Sequence, residues 1–182
     1  TSTAGNVDKG TSLSDTLDVE RRRGISVRAS TLSFTWRDVH FQLIDTPGHV
    51  DFSAEVERSL RVLDGAVLVV SAVEGIQTQT ETIWRALQAR GLPVVVFVNK
   101  IDRMGADAAA VVAQLQREFS PDMVWLNRAQ GEGDGATAVD LDAEQQAQLL
   151  ENVAVTDEPL LDLWLATDGD LAAEQWQPVL AE

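Results

Sequence analysis

The sequence predicts an α/β fold with a doubly wound, mostly parallel sheet. Two apolar runs rich in β-branched residues, 66–72 and 92–98, are typical of parallel strands buried on both faces. A helical pattern at 78–90 separates them, which gives the strand-helix-strand order of a parallel sheet. Another apolar run ends at Asp45, where a proline and a glycine force a turn. Ligands bind at such strand ends in open α/β sheets, so we expect the functional site there.

Length and composition exclude several classes of protein. A chain of 182 residues suits one ordinary domain with a real core. No apolar run approaches the roughly 18 residues that span a bilayer, and no segment resembles a signal peptide, so no membrane partner is expected. The sequence has no cysteine, which excludes disulfides and cysteine-ligated metals and fits a cytoplasmic protein.

The charge is strongly negative and unevenly distributed. The net charge is −15, and residues 131–182 carry 13 acidic side chains and no basic one. This segment cannot hold a phosphate backbone by charge, and no DNA partner is expected for the protein. Such a run of carboxylates is usually a solvated face, and the alternative is a surface that approaches a basic partner.

A phosphate-loop pattern near the N terminus fails on two requirements. Residues 5–12 match G-x-x-x-x-G-K-[ST] at both glycines and at the final serine, but Thr11 stands where lysine is needed. Threonine cannot supply the positive charge that the lysine places on the phosphates. The loop also needs a buried strand before it, and only residues 1–4 precede it. We therefore interpret residues 1–24 as loop with a short helical piece.

The remaining pattern predicts the order of the elements. Residues 27–36 and 39–45 alternate around a short polar break and predict a hairpin, with His40 facing solvent. Further helices are predicted from Asp51 and at 106–119, and a fifth strand at 123–126. After these, the pattern predicts two helical pieces within 141–165 interrupted near 157–159, and a last helix at 171–176 ended by Pro178.

Two motifs at strand ends resemble those of the translational GTPases, the family of elongation factor G and the tetracycline ribosomal protection proteins. The first resembles switch II and consists of Asp45, Thr46, Pro47, Gly48 and His49. The second resembles the guanine-reading motif and consists of Asn99, Lys100, Ile101 and Asp102. Residues 20–26 resemble switch I, with Ser26 where the family usually has threonine. The resemblance implies a sheet of the P-loop GTPase type.

The first motif and switch I would serve the phosphates and a magnesium ion. The resemblance implies that Asp45 holds Mg²⁺ through a water molecule and that the hydroxyl of Ser26 is a second metal ligand. It implies that the backbone N–H of Gly48 approaches the γ-phosphate and that His49 positions the attacking water as the catalytic residue. The less favoured alternative, for Asp45 taken alone, is a helix N-cap or turn aspartate.

The second motif would select the base. A carboxylate can accept hydrogen bonds from the guanine N1–H and 2-amino group, which adenine does not offer, so Asp102 would set specificity. Lys100 would cover the ring with its stem, and Asn99 would tie loops together and touch the base. The alternative is a polar strand end without a ligand.

The resemblance is dense over residues 1–128 and thin afterwards. It implies that 1–130 form the central part of a GTP-binding domain, and that 131–182 form an acidic, mainly helical insertion or the C-terminal part of that domain. The central first strand and the phosphate loop are lacking, and we expect them to lie upstream of residue 1.

The expected parent is a ribosome-associated GTPase that uses GTP, GDP and Mg²⁺. It would contact ribosomal RNA and ribosomal proteins, and hydrolysis would drive a conformational change on the ribosome. We expect the present chain alone to be inactive. Two other classes stay open, namely a non-catalytic interaction module that has lost phosphate binding, and an adenine-nucleotide ATPase, which Asp102 disfavours.

Overall fold

The computed structural model describes residues 29–46, 53–131 and 133–180. These residues form six strands and six α-helices, in an order that confirms the α/β class. In chain order they are β1 (Ser30–Trp36), β2 (Val39–Asp45), α1 (Ser53–Ser59), β3 (Ala66–Ser71), α2 (Thr78–Gln88), β4 (Val94–Asn99), α3 (Ala108–Glu118), β5 (Asn127–Gln130), β6 (Thr137–Asp140), α4 (Ala143–Ala154), α5 (Glu158–Ala166) and α6 (Ala173–Leu180).

The described residues fall into two compact units. Those up to Asp64, together with Arg85–Leu92, form the first unit. The second unit contains Gly65–Trp84 and the described residues from Pro93 onward. No helix in the described ranges is long and apolar enough to cross a membrane.

The predicted hairpin is confirmed as β1 and β2, which pair antiparallel from Ser30↔Asp45 to Trp36↔Val39. Its two-residue turn has positive φ at both positions, which suits the twist of a tight hairpin, and the residues are Arg37 (φ 48°) and Asp38 (φ 64°). His40 is exposed, as predicted. The hairpin brings Asp45 to the end of a strand.

Strands β3 and β4 form the predicted parallel pair, with Ala66 opposite Val94 and Ser71 opposite Asn99. One face is buried, since Leu68 and Val70 pack with residues of α2 and α3 in one apolar cluster. The prediction of burial on both faces is wrong. The other face is more than half exposed because the described helices of this cluster lie on one side only; its residues are Val67, Val69, Val95 and Phe97.

The pairing of the described strands differs from one continuous, mostly parallel sheet. They form three two-stranded sheets, β1-β2, β3-β4 and β5-β6, and only β3-β4 is parallel. Among the described strands, no further pairing joins one of these sheets to another.

The predicted fifth strand at 123–126 is wrong. The strand β5 lies just after it and pairs antiparallel with β6 across a glycine-rich turn. The apolar run is used for packing instead, because Met123 and Val124 contact two different apolar clusters. A hydrogen bond from the side-chain amide of Gln116 to the carbonyl of Met123, 2.7 Å long, further holds the segment.

The C-terminal helices follow the prediction except at the end. Helices α4 and α5 are separate, and Asp142 and Asp157 cap their N termini by accepting hydrogen bonds from backbone N–H groups. Helix α6 continues through Pro178, so the predicted stop before this proline is wrong. Pro178 is the sixth of eight residues, where its missing N–H removes only one intrahelical bond before the helix ends.

Candidate nucleotide-binding site

The carboxyl ends of β3 and β4 lie side by side. Ser71 and Asn99 are the last residues of the two strands and stand opposite each other. Beyond them, the N–H of Ala72 donates to the carbonyl of Asn99 over 2.8 Å, and the N–H of Asp107 donates to the carbonyl of Ala72 over 2.9 Å. The loops after the two strands are therefore tied together at the edge where α/β folds bind ligands.

The turn at Asn99 and Lys100 has an unusual backbone. Lys100 has φ 61°, in the left-handed region that residues with a side chain rarely adopt. Two hydrogen bonds hold this conformation, from Lys100 N to Asn99 Oδ1 at 2.8 Å and from Arg103 N to Lys100 O at 3.1 Å. Non-glycine residues in this region cost about 1–3 kcal/mol and gather at functional sites.

The side chain of Lys100 pairs with a carboxylate from the neighbouring loop. Its Nζ lies 3.2 Å from Oε2 of Glu74, and about half of each side chain is exposed. The Ser71 hydroxyl, and then the Lys100 ammonium, hold the pKa of Glu74 below its ordinary value. An exposed ion pair of this kind adds little to the free energy of unfolding.

The carboxylate of Asp102 is open to solvent. Its Oδ2 lies 3.7 Å from Arg103 Nε, which is too long for a hydrogen bond, and the side chain is 52% exposed. Ile101, between Lys100 and Asp102 in the sequence, is half-buried. Two acceptor oxygens on an accessible carboxylate fit the pair of N–H donors that guanine presents.

The first motif is described only at its start. Asp45 is the last residue of β2 and is half-buried, and Thr46 follows it. Across the hairpin, Ser30 pairs with Asp45, and its buried hydroxyl has no hydrogen-bond partner within the described structure. A polar ligand or water near Asp45 would satisfy this hydroxyl, which fits a hydrated cation. Pro47, Gly48 and His49 lie outside the described residues.

The switch I serine, Ser26, also lies outside the described residues, so its position as a metal ligand stays a prediction. Within the described ranges, no three acidic or histidine side chains are grouped to hold a metal ion. The structure thus brings Asn99, Lys100 and Asp102 into one turn of the second unit, and places Asp45 in the first unit.

Sequence reasoning missed Ser71 and Glu74. A signal for them was present, because Ser71 ends one β-branched run as Asn99 ends the other. Parallel neighbours end at the same edge of a sheet, so the residues after Ser71 belong beside the turn at residues 99–102.

Comparison with known proteins places the chain in a family. Residues 1–172 match the model of the elongation factor Tu GTP binding domain. The chain belongs to this family of GTP-binding domains. This confirms the resemblance to the translational GTPases and, with it, the P-loop GTPase type of fold.

Several relatives of this GTP-binding domain are named as tetracycline resistance proteins. The oxytetracycline resistance protein of Streptomyces rimosus is 41% identical over 182 residues, covering 97% of this chain and 28% of the relative. The tetracycline resistance protein TetP of Clostridium perfringens is 45% identical over 135 residues, covering 74% and 21%. TetO of Campylobacter jejuni is 49% identical over 120 residues, covering 66% and 19%. The chain thus spans only 19–28% of the length of these relatives.

A solved structure shows the same fold. The crystal structure of a protein from Thermus thermophilus superimposes on the GTP-binding domain with a TM-score of 0.81, at 24% identity. The match covers 96% of this chain and 30% of the Thermus chain.

Proposed function

We propose that this chain forms part of a ribosome-associated translational GTPase that binds and hydrolyses GTP to drive a conformational change on the ribosome. The observation that carries the proposal is the turn at residues 99–102, where an accessible carboxylate and a lysine stand at the carboxyl edge of two parallel strands. Membership of the GTP-binding domain family supports it.

Each residue of this turn has one task in the proposal. Asp102 accepts hydrogen bonds from the N1–H and the 2-amino group of guanine. Lys100 covers the ring with its stem, while Asn99 holds the turn through the hydrogen bond to the N–H of Lys100. Ile101 is half-buried and anchors the turn between them.

Phosphate and magnesium binding are assigned to the first motif and switch I. Magnesium, when bound, neutralises charge on the β- and γ-phosphates. Asp45 would hold the ion through water, and Ser26 would hold it through its hydroxyl. The backbone of Pro47 and Gly48, with Thr46, would approach the γ-phosphate, and His49 would orient the attacking water.

The names of the relatives favour one kind of parent. Three relatives at 41–49% identity are tetracycline or oxytetracycline resistance proteins. We therefore infer a ribosomal protection protein in preference to a translocation factor of the elongation factor G kind. Residues 1–130 would be the central part of its GTP-binding domain and 131–182 an acidic insertion or the C-terminal part of the same domain. Its partners would be ribosomal RNA and ribosomal proteins in the cytoplasm.

Nucleotide titration tests the proposal. Fluorescent GDP is titrated in the presence of Mg²⁺ into this chain and into the full-length gene product. Each is also measured as an Asp102→Ala variant, and ADP serves as the competing nucleotide. We expect the full-length protein to bind GDP, to reject ADP and to lose binding in the variant, and this chain to bind weakly. If neither protein binds GDP, the interaction-module alternative replaces the enzyme. Preference for ADP would favour an ATPase.

Hydrolysis needs a separate measurement. The full-length protein with ribosomes should release phosphate from GTP, and His49→Ala should slow this release while leaving GDP affinity within about two-fold, because orienting water is a transition-state task. Equal release from both proteins would remove His49 from the catalytic role.

A further inference from the structure

We propose that Glu74 is a positioning residue that holds Lys100 for guanine recognition, a role that rests on the function proposed above. Glu74 follows β3 and Lys100 follows β4, the two parallel neighbours. The contact from Nζ to Oε2, 3.2 Å long, therefore crosses between the two loops at the binding edge. Glu74 belongs to neither motif and acts on the base only through Lys100.

The loop at residues 71–77 holds Glu74 firmly. The hydroxyl of Ser71 accepts hydrogen bonds from the N–H groups of Val73 (3.2 Å) and Glu74 (3.3 Å). The N–H of Gly75 donates to the carbonyl of Ser71 over 2.9 Å, and the side-chain amide of Gln77 donates to the carbonyl of Glu74 over 2.9 Å. The backbone on both sides of Glu74 is therefore fixed by local bonds.

Helix α3 supports the same loop from behind. Gln114 Oε1 accepts a long hydrogen bond, 3.5 Å, from the N–H of Ile76. Gly75 has φ 63°, and a Cβ at this position would lie 2.8 Å from Gln114 Oε1. Because the loop packs this closely on the helix, the carboxylate of Glu74 has a rigid support that most exposed ion pairs lack.

Lys100 is thus held at both ends of its side chain. Its backbone is fixed in the left-handed turn by Asn99, and its ammonium is held by Glu74. A free lysine side chain loses considerable rotamer entropy when it is ordered by a ligand. Holding the stem beforehand lowers that cost, which is the general benefit of preorganisation for affinity. The gain is modest because about half of each side chain is exposed and the pair is screened by salt.

A double-mutant cycle in the full-length gene product tests this role. GDP affinity in the presence of Mg²⁺ is measured for the parent, Glu74→Gln, Lys100→Met and the double variant. Glu74→Gln removes the charge but keeps the shape, and Lys100→Met removes the ammonium but keeps an unbranched apolar stem. We expect Glu74→Gln to weaken GDP binding about two- to five-fold when Lys100 is present. In the Lys100→Met variant the same substitution should leave GDP affinity unchanged.

Controls separate this role from folding and from the proposed function. Glu174→Gln removes an exposed charge on α6 and should leave GDP affinity unchanged. Thermal unfolding of Glu74→Gln should match the parent, because the pair is exposed. If Glu74→Gln lowers GDP affinity equally with Lys100 and with Lys100→Met, or lowers it in neither protein, the positioning role alone is overturned. A parent protein that fails to bind GDP would overturn the proposed function and the positioning role together.

Discussion

At the scale of single residues, we propose that Asp102 determines which base the site accepts. Its carboxylate has two acceptor oxygens, and Arg103 Nε stays 3.7 Å away. In Asp102→Asn one oxygen becomes an NH₂ donor, which opposes the guanine 2-amino group and suits the 2-oxo group of xanthine. We expect GDP affinity to fall by at least about 100-fold and affinity for xanthosine diphosphate to rise, since a mismatched polar group is strongly rejected.

Competitive titration of GDP and xanthosine diphosphate on the full-length protein measures this change of base preference. Asp122→Asn, the same chemical change on an exposed residue outside the turn, is the matched control and should bind GDP like the parent. Unchanged preference for GDP in Asp102→Asn would show that another group reads the base.

Glu74 allows a prediction about pH. Its pKa is held below the ordinary value of 4.5 by the Ser71 hydroxyl and by Lys100. A lowered carboxyl pKa adds stability that is fully present above pH 4.5 and is lost as the pH falls through the folded-state pKa, and here that contribution is small because the carboxylate is exposed. Carbon NMR of the Glu74 carboxyl should therefore show a midpoint below 4.5 that moves upward in Lys100→Met. A midpoint that is equal in both proteins would contradict the ion pair.

At the scale of elements, the turn between β5 and β6 depends on one glycine. Gly131 has φ 87°, and a Cβ there would lie 2.8 Å from the carbonyl oxygen of Gly135. Gly131→Ala therefore adds a backbone clash to a strained φ, and we expect a loss of about 2–4 kcal/mol in the free energy of unfolding. The measurement is urea unfolding followed by circular dichroism.

Gly133→Ala is the matched control for this turn. Gly133 also has a positive φ, 55°, but a Cβ there would meet no atom within 4 Å. Gly133→Ala should lower the free energy of unfolding only by the backbone strain, about 1 kcal/mol. Equal losses in the two variants would mean that the contact with Gly135 is relieved by movement of the turn.

Elements were predictable from sequence where the signal is local. The hairpin follows from alternation around Arg37 and Asp38, and the turn at 99–102 follows from a polar motif after a β-branched run. The prediction of a strand at 123–126 was wrong because a short apolar run does not distinguish a strand from a packed loop. The role of Glu74 depends on two loops that meet only in the folded chain, so a scan for motifs does not find it.

At the scale of the whole molecule, the net charge of −15 opposes the compact state. Raising NaCl from about 0.01 to about 0.15 M shortens the screening length from about 30 to about 8 Å, so the repulsion weakens. We expect the thermal unfolding midpoint to rise by a few degrees, as followed by calorimetry. A variant with Glu151→Gln and Asp162→Asn, two charges from the purely acidic segment, should show a smaller rise. A midpoint that salt leaves unchanged would contradict this.

The arrangement of the described strands as three separate pairs was not predicted from the sequence. Parallel pairing of β3 and β4 follows from their shared pattern and the helix between them. Pairing between strands that are far apart along the chain is not a local property of the sequence, because it depends on the register and partners that the folded chain selects. The described strands accordingly remain three separate pairs.

The exposed apolar face of β3 and β4 affects the tendency of the chain to associate in solution. Val67 and Val95 are neighbours in register, as are Val69 and Phe97, so the four side chains form one apolar patch. At neutral pH the large negative charge keeps molecules apart. Near the isoelectric point of about 4.4 that repulsion vanishes while the patch remains. We therefore expect acidification towards that pH to promote association and precipitation, so buffers for crystallisation or storage should stay well above it.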